Sequence, residues 1–161
     1  MIIIVSVISL ILDIGSKYYI SKNFIVYESK TIIKNFLDIT YVKNTGAAFS
    51  ILKDNTWMIT IISLMIIMGV IYYIYKNKPS NNIENIGYGM VIGGALGNFI
   101  DRIIYGYVID FIDIYIFSYD YPIFNIAYIG VVIGIILILI TSIKESSDKN
   151  ETNSNQKRKN R

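Results

Sequence analysis

Apolar residues fall in four long blocks along the chain, each interrupted differently. Residues 57–75, WMITIISLMIIMGVIYYIY, run 19 positions without a charge. At 1.5 Å per residue that is about 28 Å, the depth of a roughly 30 Å hydrocarbon core. Residues 123–143, IFNIAYIGVVIGIILILITSI, make a second block of spanning length, and Pro122 is expected to open its helix where a missing N–H is tolerated. The block at 86–100, IGYGMVIGGALGNFI, has 15 uncharged positions and reaches spanning length only by continuing through Asp101 and Arg102 to Ile104. Residues 1–12 are uncharged, then Asp13 and Lys17 interrupt, so 1–21 reads as a crossing with a polar end. It lacks the basic start and the cleavage site of a removable signal peptide and is expected to be retained.

The pattern thus predicts spans at about 1–21, 57–75, 86–104 and 123–143, an all-α membrane protein built as a four-transmembrane-helix bundle. Between the first two spans, FLDITYVK (36–43) alternates and is rich in β formers, which predicts short strands in a small extracytoplasmic β-rich platform. Residues 1–143 form one membrane domain. The polar stretch 144–161 is expected to be a disordered cytoplasmic tail.

Composition agrees with lipid as the solvent: 53% of the 161 residues are hydrophobic and 17% charged, too few charges to cover a soluble domain of this size. Four spans put both termini on one side. Lys76, Lys78 and six Lys or Arg from Lys144 onward mark that side as cytoplasmic, although 22–56 also holds five Lys. The net charge of +3 is scattered, with no basic stripe for nucleic acid. The chain has no Cys and no His, which excludes thiol nucleophiles, Ser/His/Asp triads and the usual zinc sites. Chemistry here falls to carboxylates.

Ionisable groups at membrane depth are costly and need a partner or a task. Asp13 and Lys17 are four apart in acid-first order, which stacks them on one helix face as an ion pair or as part of a site. Asn98, Asp101 and Arg102 share a sector of about 100°, either as a preorganised site or as a structural pair. Gly89, Gly93 and Gly97 recur on another face and are read as a packing ridge. Asp110 in GYVIDF and Asn125 in FNIAY stand at the outer membrane boundary. Two carboxylates sharing a proton could hydrolyse a peptide bond there, and Asp110 would be one. A small transporter or channel subunit is the other class to weigh. It would need a polar stripe through the whole bundle, whereas the polar residues gather at one end.

Taken in order, DIGSK (13–17), NTGAAFS (44–50), GGALGNFIDR (93–102), GYVIDF (106–111) and FNIA (124–127) resemble the blocks of the lipoprotein signal peptidases, or signal peptidase II, over residues 1 to about 141. The resemblance implies an intramembrane aspartic endopeptidase of the bacterial cytoplasmic (inner) membrane, monomeric and in contact with membrane lipid. Such an enzyme cleaves diacylglyceryl-modified prolipoproteins before the lipidated Cys, and it needs no metal or cofactor. It also implies a catalytic role for Asp110. Asn44, Asn98, Arg102 and Asn125 would bind substrate or support the site, and Asp13, Lys17 and Asp101 would hold helix ends. The family's second Asp closes an F-N-x-A-D motif, and this chain has Tyr128 there. A phenol titrating near 10 can donate a hydrogen bond but cannot shuttle a proton as a tuned carboxylate does. The substitution predicts peptidase activity lowered by several orders of magnitude and leaves three readings open: an active peptidase, an inactivated copy, and a protein that binds prolipoprotein without cleaving it, with Asp101 and Asp113 as possible substitutes for the missing acid.

Overall fold

A computed structural model of the chain describes residues 1–46, 55–79, 81–116 and 119–159. The described residues form helices α1 (Ile2–Asn23), α2 (Thr56–Asn77), α3 (Asn82–Tyr105) and α4 (Ile126–Lys159), one for each apolar block. Strands β1 (Ser29–Ile33), β2 (Leu37–Asn44), β3 (Val108–Ile116) and β4 (Tyr119–Asp120) lie in the connections. The strand expected at 36–43 is β2, and it belongs to a larger antiparallel sheet of order β1-β2-β3-β4.

Helices α1, α2 and residues 126–144 of α4 are long and apolar enough to cross a membrane. Their outward faces stay apolar, as with Ile3 at 78% exposure, which suits lipid rather than water. The more polar α3 packs against each of the other three helices, which buries much of its length between Gly87 and Asp101. Two of its faces depend on glycine. A Cβ at Gly89 would stand 2.6 Å from Val5 Cβ on α1, and one at Gly87 would stand 2.7 Å from the Gly134 carbonyl on α4. Such ridges let helix backbones approach closely where lipid supplies no hydrophobic drive. Asn81 caps the start of α3 through Oδ1, which accepts the Ile83 N–H at 2.8 Å. Gly106, at φ +76°, ends it in the left-handed conformation that glycine adopts without strain.

Two expectations are corrected at the last helix. Pro122 does not open it: Phe124 is still sheet-like, its carbonyl accepting the Phe111 and Ile112 N–H groups at 2.9 and 2.8 Å. The helix begins at Ile126 because Asn125 supplies a cap, its Oδ1 accepting the Tyr128 N–H at 2.8 Å. The stretch 144–161, expected to be disordered, is helical as far as Lys159. Helix growth from an anchored end avoids the costly nucleation step, and no Gly or Pro interrupts this stretch.

The sheet is fastened to the bundle by a buried cluster of Ile20 from α1, Tyr41 from β2, and Ile109 and Phe111 from β3. With Ile109 and Phe111 turned into that cluster, the alternation of a strand sends Asp110 to the other face. The β2–β3 register places Val42 opposite Asp110 and Asn44 opposite Val108, which brings Asn44 to the same end of the sheet.

Candidate active site

The polar residues that lipid should not tolerate converge where the ends of α1 and α3 meet β3 and the start of α4. Asp13, Lys17 and Asp101 are 0%, 2% and 4% exposed, dry enough that each charge requires partners. The Lys17 ammonium has three: Asp13 Oδ2 at 2.6 Å, Asp101 Oδ2 at 3.0 Å and Asn98 Oδ1 at 2.8 Å. Asp13 Oδ1 accepts the Ala127 N–H at 2.8 Å, satisfying a donor at the positive end of α4. Asp101 Oδ2 accepts the Ile109 N–H at 3.1 Å. One buried ion cluster thus joins α1, α3, α4 and β3. The pair read from the 13/17 spacing is present with a second acid added, and Asp101 pairs with Lys17 rather than with its neighbour Arg102.

Asp110 sits next to this cluster, buried, with both carboxylate oxygens engaged. Asn44 donates to Oδ2 at 2.8 Å and Asn125 to Oδ1 at 2.7 Å. The Asn125 amide is itself 1% exposed, and its nitrogen also lies 2.9 Å from Asn98 Oδ1 and 3.2 Å from the Ile109 carbonyl. Asn98 Oδ1 therefore accepts from both Lys17 and Asn125, which links the ion cluster to Asp110 in a continuous polar line. Burial pushes the Asp110 carboxyl up to about 6, against the opposing pull of the Asn44 hydrogen bond and of the Lys17 and Arg102 charges. A carboxylate so tuned exchanges protons near neutral pH, as a general base must.

Arg102 donates to the Gly46 carbonyl at 3.0 Å and to the carbonyl of Asn98 in its own helix at 3.2 Å. It ties the start of the 44–50 segment to α3, and residues 47–50 of that segment lie outside the described residues.

Tyr128 is not part of the polar line. Its hydroxyl pairs with the Tyr121 hydroxyl at 3.1 Å, and its ring packs 5.6 Å from that of Phe124. It lines an apolar cavity of about 280 Å³ with Ile114, Phe124, Ile129 and Val132. Asp110 has no hydrogen bond to it. The two other acids considered as substitutes are engaged elsewhere. Asp101 is held by Lys17 and Ile109, and Asp113 is three positions from Asp110 on a strand, on the opposite face, where Thr40 donates to its Oδ2 at 2.7 Å.

The capping role of Asn125 and the Tyr121 partner of Tyr128 were not read from the sequence. The first had a signal, since Asn is a favoured N-cap residue. The second had none, because it depends on the turn taken between β4 and α4.

The chain matches known proteins along nearly its full length. The family model described as signal peptidase (SPase) II matches residues 5–144. A protein named lipoprotein signal peptidase from Pasteurella multocida (strain Pm70) is 41% identical over 143 residues, covering 86% of this chain and 86% of that one. One of the same name from Staphylococcus aureus (strain JH9) is 41% identical over 149 residues, covering 92% and 91%. Two solved structures, each described as a bacterial membrane enzyme obtained by the in meso method, superpose with TM-scores of 0.85 and 0.80, both at 40% identity. The first covers 92% of this chain and 90% of its own, the second 89% and 92%.

Proposed function

Because this chain belongs to the signal peptidase II family, we propose that its Asp110 site receives diacylglyceryl-modified prolipoproteins for cleavage before the lipidated Cys, and that Tyr128 leaves it with one of the two acids this cleavage uses. The membrane setting and the lipoprotein-processing class follow from the family.

In that reading Asp110, ionised, takes a proton from the attacking water as that water adds to the scissile carbonyl. Asn44 and Asn125 hold the carboxylate at a fixed angle, and the Lys17 cluster fixes α4 and β3 relative to each other. Asn98 and Arg102 face the substrate backbone. The second acid should polarise the carbonyl and return a proton to the leaving amine. The Tyr128 phenol stays protonated at neutral pH and cannot alternate between acid and base as a tuned carboxylate does, and its hydroxyl is turned to Tyr121. That hydrogen bond is the observation that favours an impaired copy, one that binds prolipoprotein and cleaves it several orders of magnitude more slowly.

The bundle crosses the bilayer four times in this reading, with α3 as the fourth crossing at about 36 Å. Both termini are cytoplasmic, and the sheet and Asp110 stand at the outer face of the cytoplasmic membrane. The chain acts as a monomer. Substrate acyl chains enter sideways from the lipid between helices, and neither metal nor cofactor takes part.

A gel-shift cleavage assay on a lipidated prolipoprotein tests the proposal with three chains: this one, Tyr128→Asp, and Tyr128→Asp with Asp110→Asn. The expected results are inactive, active and inactive. Full cleavage by the unaltered chain would refute the two-acid argument. A silent Tyr128→Asp chain that still retains lipidated precursor on a pull-down would leave binding as the whole function.

A further inference from the structure

From the end of α1 to the start of β2 the chain displays large apolar side chains that no other described residue covers. Ile25 and Tyr27, in the turn after α1, are 79% and 76% exposed, and Ile33 and Phe36, at the tip of the β1–β2 hairpin, are 50% and 48% exposed. β1 is the outer strand of the sheet, and all five of its residues are exposed. The same stretch, residues 22–36, carries Lys22, Lys30 and Lys34 against one acid, Glu28, whose Oε2 is occupied by the Ile25 N–H at 2.7 Å.

The turn is also strained. Tyr27 has φ +70°, a left-handed conformation that L side chains adopt at a cost and that a glycine would take freely. Backbone hydrogen bonds hold the turn in that conformation, the Tyr27 N–H on the Tyr41 carbonyl and the Glu28 N–H on the Ile25 carbonyl, both at 2.8 Å, and they leave the Tyr27 ring 76% exposed.

The position of these side chains relative to α1 bears on what they meet. α1, apolar enough to cross a membrane, ends at Asn23. Its last turns present Tyr18 and Tyr19 at 63% and 61% exposure, with the Lys22 ammonium 5.7 Å above the Tyr18 ring. Tyrosine and lysine at the end of an apolar helix mark the boundary between hydrocarbon and water. Ile25 and Tyr27 follow within four residues of Asn23, next to that boundary along the chain.

We propose that the turn at 25–27 and the β1–β2 hairpin tip lie in the headgroup layer of the bilayer, apolar side chains inward, with Lys22, Lys30 and Lys34 on the phosphates of anionic phospholipids. β1 pairs with β2 and β2 with β3, so this contact would steady the strand that carries Asp110. The proposal needs only that the chain crosses a membrane and is independent of whether it cleaves anything.

Trp57 is the only tryptophan, so Trp57→Phe provides a dark background for Tyr27→Trp or Phe36→Trp. The full chain is reconstituted in vesicles of phosphatidylcholine alone or with about a quarter phosphatidylglycerol, containing lipid brominated in the upper acyl chain. In the anionic vesicles bromine is expected to quench about half the emission at either position while aqueous iodide does almost nothing; without phosphatidylglycerol the bromine effect falls about twofold. Adding Lys30→Glu and Lys34→Glu should make the two vesicle types equivalent, with circular dichroism confirming the fold. Strong iodide quenching in anionic vesicles overturns the proposal. So does protection from iodide without bromine quenching, which would mean that protein covers the hairpin, and so does an identical response in both vesicle types with the lysines intact.

Discussion

Asn125 holds Asp110 and the start of α4 with one side chain: its nitrogen lies 2.7 Å from Asp110 Oδ1, and its oxygen accepts the Tyr128 N–H at 2.8 Å. Asn125→Ala removes the cap and strands a buried carboxylate oxygen, and a loss of about 2–4 kcal/mol is expected. Asn125→Asp keeps the cap but puts a second carboxylate against the first. In a Tyr128→Asp background both should abolish cleavage. Thermal unfolding in detergent should show the alanine variant losing stability at every pH, and the aspartate variant losing less in acid, where one carboxyl is protonated.

Tyr128→Phe removes the hydrogen bond to Tyr121 and leaves the packing against Phe124. The expected cost is about 1 kcal/mol or less. Any residual cleavage by the chain should be unchanged, since the phenol does no proton work in the mechanism above. A further fall in initial rate with lipidated precursor would show that the hydroxyl reaches the reaction.

Lys17→Met leaves Asp13 and Asp101 buried side by side without their shared cation. A loss of about 3–5 kcal/mol is expected, enough to cut the yield of folded protein. Adding Asp13→Asn should recover part of it, because fewer uncompensated charges then remain. Denaturation midpoints of the single and double variants measure the recovery, and a single variant as stable as the parent would remove the ion cluster from the account.

Gly97 and Gly15 should respond in opposite directions to alanine. A Cβ at Gly97 would collide with the Asp13 carboxylate, with Cγ at 3.0 Å, whereas a Cβ at Gly15 meets nothing within 4 Å. Gly15→Ala is expected to stabilise α1 by about 0.5–1 kcal/mol through helix propensity. Gly97→Ala is expected to destabilise and to disturb the cap on α4. Unfolding temperatures of the two variants provide the comparison.

The Asp110 carboxyl is raised by burial from 3.8 to about 6, so the stability it contributes is fully present below pH 4 and is lost as the pH rises through 6. Asp110→Asn cannot ionise and escapes that loss, though it mispairs with one of its two amide donors at every pH. Its stability relative to the parent should therefore improve by up to about 3 kcal/mol between pH 4 and pH 7. Parallel unfolding titrations of the two proteins across this range test the window, and a pH-independent difference would mean that the carboxyl titrates outside it.

The helices and half of the ion cluster could be read from the chain because both are set by local geometry. Uninterrupted apolar length specifies a crossing, and an i, i+4 interval places Asp13 beside Lys17 whatever the rest of the chain does. The Gly89 and Gly93 ridge was legible for the same reason, as one face of one helix. The start of α4 is not set locally: Pro122 offers a plausible helix start, but a tertiary contact between Phe124 and β3 holds the chain extended for longer. The helical stretch 144–159 was likewise hidden, since composition does not register how readily a helix continues from an anchored end.

The site itself required distances that no local interval contains. Lys17 meets Asn98 across 81 positions, and Asp13 caps α4 across 114. Residue types and spacings established that carboxylates, amides and one lysine had to be sheltered from lipid. Which of them meet, and the turning of the Tyr128 hydroxyl toward Tyr121, followed from packing three helix ends against one strand, because a buried charge adopts whatever partner the fold brings within hydrogen-bond reach.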